Sequence, residues 1–257
     1  MTRKEICETH AKNRSKLSSA ITHLEIALNT AIRGNHKEQE HALVRVVAIL
    51  RIAWMESSFS CILHSQNVLS DKQVIFIRSY PSEIMKWHGL CEFLFRLQYL
   101  GGKQKQLNRV NLGVATFTRY TLLRETLDKH IVRFIEIRNK LAHGQWHVAF
   151  TNDGTDKNPD MTANVWTLSK KELLLMKSIT EATVRLFGML IVGTKQFESD
   201  FDRVFGKIDL AAAEIERRYA DAMKTLKRPI KLRQGNINAI SSIVNKVPQE
   251  LAPVQCT

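Results

Sequence analysis

Residues 116–144 read TFTRYTLLRETLDKHIVRFIEIRNKLAHG, and the spacing of the apolar side chains in this stretch decides the fold. Tyr120, Leu123, Leu127, Ile131, Phe134 and Leu141 recur at intervals of three, four or seven residues. Such spacing lays them along one stripe of an α-helix, buried face inward. No proline or glycine interrupts the run until Gly144, which supplies a C-terminal stop.

The same period extends in both directions. Upstream, Leu17, Ile21, Leu24, Leu28 and Ile32 form a stripe that ends at Gly34-Asn35. From His36 to His64, Leu43, Val47, Leu50 and Trp54 make one stripe and Val46, Ile49 and Ala53 a second. That helix is expected to be buried on two sides and to pair with its predecessor as an antiparallel hairpin. Ser70-Asp71 and Ser82-Glu83 are N-cap signals on either side of Pro81. A helix then runs through Ile84, Trp87, Cys91, Leu94 and Leu97 to Gly101-Gly102, and a basic connector follows from Lys103 to Asn111.

Downstream the period changes. Trp146, Val148 and Phe150 alternate with polar neighbours, Val165 and Thr167 flank Trp166, and Thr151 to Thr162 between them is rich in Asn, Asp, Gly and Pro. The reading is a small β-hairpin or a loop. Ser169 to Glu172 then matches a capping box opening another long helix, and a last helix covers about Asp209 to Leu226. The expected architecture is all-α: one helical bundle over 1–226 with an insertion at 145–168, and a basic C-terminal extension at 227–257.

Bulk properties narrow the class. A hydrophobic content of 44% argues for a packed core. A net charge of +13 makes an anionic partner plausible, either nucleic acid or an anionic membrane surface, and charge alone does not choose between them. The four cysteines form no CxxC pair, and Met1 to Lys12 has no apolar core of a secretory signal. The stretch Val184 to Val192 is too short to cross a bilayer. The expectation is a cytoplasmic protein without a membrane anchor.

The chemistry concentrates at the end of the long helix, in Glu136-Ile137-Arg138-Asn139-Lys140-Leu141-Ala142-His143-Gly144. An imidazole exchanges protons near neutral pH, a guanidinium grips a phosphate bidentately, and an amide orients either group. Together they are a kit for cleaving RNA. Helical geometry sets Asn139 and His143 about 40° apart on one face, and Arg138 about 140° from His143. One helix alone makes a loose site, and two copies across a two-fold axis make a denser one. Arg-x4-His is expected about 0.6 times by chance in this composition, so the following Asn and the terminal glycine carry the specificity.

IRNKLAHGQW, residues 137–146, resembles the signature of HEPN domains, an Arg-x4-6-His motif with a polar residue after the arginine. The family is a helical bundle that commonly dimerises with its motifs facing each other. Many members are metal-independent endoribonucleases in toxin–antitoxin and phage-defence systems. The resemblance implies an RNA substrate, a homodimer, a controlling partner such as an antitoxin, and no cofactor. It carries the catalytic role to Arg138, Asn139 and His143, with Glu136 in support.

Other readings stand beside these. Arg138 and His143 also suit an ion pair and a helix C-terminal charge. A bundle that binds RNA or protein without cutting fits the same residues. Arg217, Arg218, Lys224, Lys227 and Arg228 form either a phosphate-tracking surface or a solvated helix face. Cys61-x2-His64 and His88-x2-Cys91 have zinc-like spacing but suit buried thiols and ordinary histidines better, so no metal is expected.

Overall fold

A computed structural model describes residues 2–65 and 68–227. The chain runs through α1 (Arg3–Arg33), α2 (Lys37–Leu63), α3 (Asp71–Arg78), α4 (Glu83–Leu100), α5 (Arg109–Leu112) and α6 (Val114–Thr126). A π-helical turn at Leu127–Ile131 leads directly into α7 (Val132–Ala142). Then come α8 (Pro159–Trp166), α9 (Lys170–Val192), α10 (Thr194–Asp209) and α11 (Ala211–Lys227). The fold is all-α, with no strand among the described residues.

Local chemistry starts these helices where the sequence predicts. Ser70 and Gln73 form a reciprocal capping box on α3, and the Ser82 and Ser169 hydroxyls accept from the N–H groups of Met85 and Glu172. A further capping box, Thr2 with Glu5, opens α1 some fifteen residues before the first apolar stripe.

The six apolar residues of the 116–144 stretch are all buried. α1 and α2 pair antiparallel, and α2 and α9 form the middle of the bundle. The buried line of α2 is Val44, Val47, Ala48, Ile52, Met55 and Phe59; of the two expected stripes only Val47 falls on it, and Leu43, Val46, Ile49, Leu50, Ala53 and Trp54 remain half-exposed at its flanks. Trp87 of α4 joins the layers, its ring 4.8 Å from both Phe59 of α2 and Phe187 of α9. One apolar core extends from Ile21 to Leu226.

α2 is the one described helix apolar and long enough to cross a membrane, with a window of mean hydropathy 1.6. It is packed against α1, α7 and α9, and 56% of that window is buried in the bundle. Its buried Arg51 is paired with Glu25 of α1 and, at 3.8 Å, with Glu181 of α9. These ion pairs tie the three helices together.

The insertion corrects one expectation. Residues 145–158 form a loop with a single antiparallel bridge between Phe150 and Lys157, and the second expected strand is helix α8. Asn158 accepts from the Met161 N–H, Pro159 occupies the first turn and Asp160 follows. That is a helix start built from cap, proline and acidic residue. Met161 and Val165, one turn apart, are the buried face.

Candidate active site

Helix α7 is held rigidly enough to aim side chains. Phe134, Ile135, Ile137 and Leu141 bury its inner face. On its outer side Arg133 donates to the Asn164 side chain of α8 (3.2 Å) and lies 3.5 Å from Glu172 of α9. The helix closes at His143, whose N–H donates to Asn139 O (3.0 Å), while the Gln145 N–H reaches back to Lys140 O (2.9 Å). The reversal requires the left-handed conformation of Gly144, at φ 76°. Trp146 fastens the turn by donating its indole N–H to Leu141 O at 2.8 Å.

Glu136, Asn139 and His143 line one polar cleft of about 950 Å³, faced by Thr151 to Gly154 of the insertion and by Asn158 and Met161 at the start of α8. His143 and Glu136 are exposed, and Asn139 is half-buried. The opposite wall is fixed to α7 by Lys140. Its buried ammonium donates to Phe150 O (2.5 Å) and to the Asn152 side chain (3.3 Å). Gln145 adds a second tie, accepting from the Phe150 N–H at 2.8 Å. Hydrogen bonds from Thr151 and Thr155 hold the Asp153 carboxyl below its usual range, so it is ionised at the cleft mouth.

Arg138 faces away from this cleft. Its guanidinium is ion-paired with Glu56 of α2, and a second nitrogen donates to the Asn139 side chain at 2.9 Å. Both ion-pair partners are roughly three-quarters buried. Desolvation lowers the arginine's pKa from its ordinary value, and the group remains a cation. Glu56 also lines a separate groove between α1 and α2, with His10, Lys16, Ser57 and Ser60.

The structure therefore brings Asn139, His143 and Glu136 to one cleft and leaves Arg138 beside it, linked through the Asn139 amide. Sequence reasoning missed two participants. Lys140 is one turn from Glu136 on the cleft side, and that spacing was available as a signal. Glu56 is eighty-two positions from Arg138, and nothing local announces it.

The basic stretch does not converge on the cleft. Arg217, Arg218, Lys224 and Lys227 are exposed on α11, which packs on α1, α9 and α10, whereas α7 packs on α2, α4 and α8. Arg218 pairs with Glu214 at 3.0 Å and Lys224 with Asp221 at 3.3 Å, the pattern of a solvated helix face. Arg228 lies outside the described residues. Among those residues no group of three or more His, Cys, Asp or Glu is arranged to hold a metal. His88 contacts Asp128 at 2.7 Å, and the fully buried Cys91 thiol is pushed far above its ordinary range by desolvation.

No protein-family model matches the chain, and neither the curated proteins nor the solved structures hold a match to it.

Proposed function

We propose that the protein is a HEPN-type endoribonuclease, cleaving RNA without a metal ion and acting as a homodimer in a toxin or phage-defence role. One observation carries the reading: the imidazole of His143 is solvent-accessible in a polar cleft beside Asn139, whose amide in turn holds Arg138.

The ribose 2′-oxygen attacks the adjacent phosphorus, the bond from phosphorus to the 5′-oxygen breaks, and the 2′-OH proton is lost as one is supplied to the leaving oxygen. Products are a 2′,3′-cyclic phosphate and a 5′-hydroxyl. His143 is the acid–base group, Glu136 the supporting carboxylate in the same cleft, and Asn139 the orienting residue. Arg138 clamps the phosphate once it exchanges Glu56 for a phosphate oxygen, a trade of one anion for another.

The test is cleavage of RNA in EDTA by wild type, His143→Ala and Arg138→Ala, with DNA of the same sequence as control. Cleavage by wild type alone, absent on DNA, supports the enzyme. Cleavage of DNA contradicts attack by a 2′-hydroxyl.

A second reading, a non-catalytic module binding RNA or protein away from this cleft, is favoured by the Arg138–Glu56 pair and by the carboxylates of Glu136 and Asp153 at the cleft. A polyanion entering there meets negative charge. No cleavage by any form, with equal RNA binding by all three, selects this reading.

A further inference from the structure

The geometry points to Cys7 and Cys61 as a reversible thiol–disulfide pair that cross-links α1 to α2, with a small-molecule disulfide of the glutathione type as its oxidant. The two residues lie near opposite ends of the antiparallel hairpin's sequence and meet at its open end, far along the chain from the Gly34 turn. Their contact is reciprocal. The Cys7 Sγ lies 3.5 Å from the Cys61 carbonyl oxygen, and the Cys61 Sγ lies 3.6 Å from the Cys7 carbonyl oxygen. Each thiol is thus seated on the other's main chain, and the Cys7 side chain also lies within hydrogen-bonding reach of the Cys61 thiol. Both thiols are free.

The two sulfurs differ in access, which gives the exchange an order. Cys7 is half-exposed and Cys61 is buried. Burial and the neighbouring Cys7 thiol hold Cys61 above the ordinary thiol range, opposed in part by Arg14. Cys7 therefore reacts first. Its thiolate attacks the disulfide RSSR, forming Cys7–S–S–R and releasing one RS⁻. Cys61 then gives up its proton, attacks the Cys7 sulfur and releases the second RS⁻. The sum is two protein thiols plus RSSR giving one protein disulfide plus two RSH. The remaining described cysteine, Cys91, is fully buried and takes no part.

The device bears on the site already described, although it does not depend on the ribonuclease reading. Glu56, which holds Arg138, is on the same helix as Cys61, in the groove whose other wall is α1. A cross-link fixes that groove at one end.

The test treats full-length protein with oxidised glutathione, followed by intact mass and non-reducing peptide mapping. Loss of two mass units within a monomer, a Cys7–Cys61 linked peptide, and reversal by dithiothreitol are expected. Cys256→Ser should retain the link, and Cys7→Ser and Cys61→Ser should each lose it. The oxidised form should melt about 5 °C higher than the reduced form, a difference absent in Cys7→Ser. A stable glutathione adduct left on Cys7, a link through Cys256, or no difference in melting between oxidised and reduced wild type would overturn the proposal. If a cysteine-to-serine variant folds poorly, the wild-type peptide map still decides.

Discussion

The two sides of α7 have opposite characters. One side presents Glu136, Asn139 and His143 to an open cleft walled by the insertion; the other sends Arg138 into a largely buried ion pair with Glu56. Residues five apart on a single helix cannot share a face, so the motif's cation and its imidazole are delivered to different surfaces. On the proposed function two routes would rejoin them: release of Arg138 from Glu56, or supply of one partner by a second copy. The Asn139 amide touches both sides and is the mechanical link between them.

The largest expected effect separates the sides outright. His143→Ala should lower RNA cleavage about a thousandfold, the usual scale of a lost acid–base group. Because His143 is exposed, thermal stability should stay within about 0.5 kcal/mol of wild type. An equal loss of stability and activity would place His143 in the scaffold.

Arg138→Ala tests the other side and should do both. It leaves Glu56 unpaired at a largely buried position, costing about 1–2 kcal/mol in urea unfolding, and on the proposed function it also removes the phosphate clamp. Glu56→Gln sharpens the contrast. If Glu56 restrains a catalytic arginine, this variant should cleave RNA a few-fold faster than wild type. Unchanged cleavage with lowered stability assigns Arg138 to the scaffold alone.

Lys140→Met addresses the cleft wall. Losing the ammonium's bonds to Phe150 O and Asn152 should cost about 1 kcal/mol and raise proteolysis within 151–157. Proteolysis unchanged from wild type would mean that the wall holds without that tie.

The smallest effect is a pH dependence away from the site. His64 is buried, and burial together with Arg78 and Arg3 depresses its pKa below the ordinary imidazole value of about 6.5. Well above pH 6.5 neither state carries the proton and the group is silent. As pH falls through 6.5 the unfolded chain takes the proton first, so stability declines until the folded state also protonates. Urea midpoints should drop between pH 7 and pH 5, and His64→Asn should flatten part of that slope. His130, lowered by burial and by Lys129 and Arg133, contributes in the same direction.

The bundle was legible because apolar periodicity and caps are local signals. Leu123, Leu127, Ile131 and Phe134 could be assigned inward from spacing alone, and each is essentially inaccessible. In the insertion the loop alternative describes 145–158, whereas the second expected strand is helix α8, where a short alternation outweighs the Asn158-Pro159-Asp160 helix start. At the site, exposure of His143 follows from its place at a helix terminus before Gly144. The capture of Arg138 by Glu56 does not, because it joins α7 to α2 across the bundle and depends on how two helices cross.

The π-helical turn at Leu127–Ile131 has a bearing on all of this. It holds one residue more than a regular turn, and each residue turns the chain by about 100° around the axis. Every side chain after it is clocked by that extra residue. Trimming a single position there, while keeping the helix continuous, would rotate the downstream segment so that a different set of residues met the insertion. The ordering of chemistry at the far end of α7 is thus dialled by a turn that carries none of it.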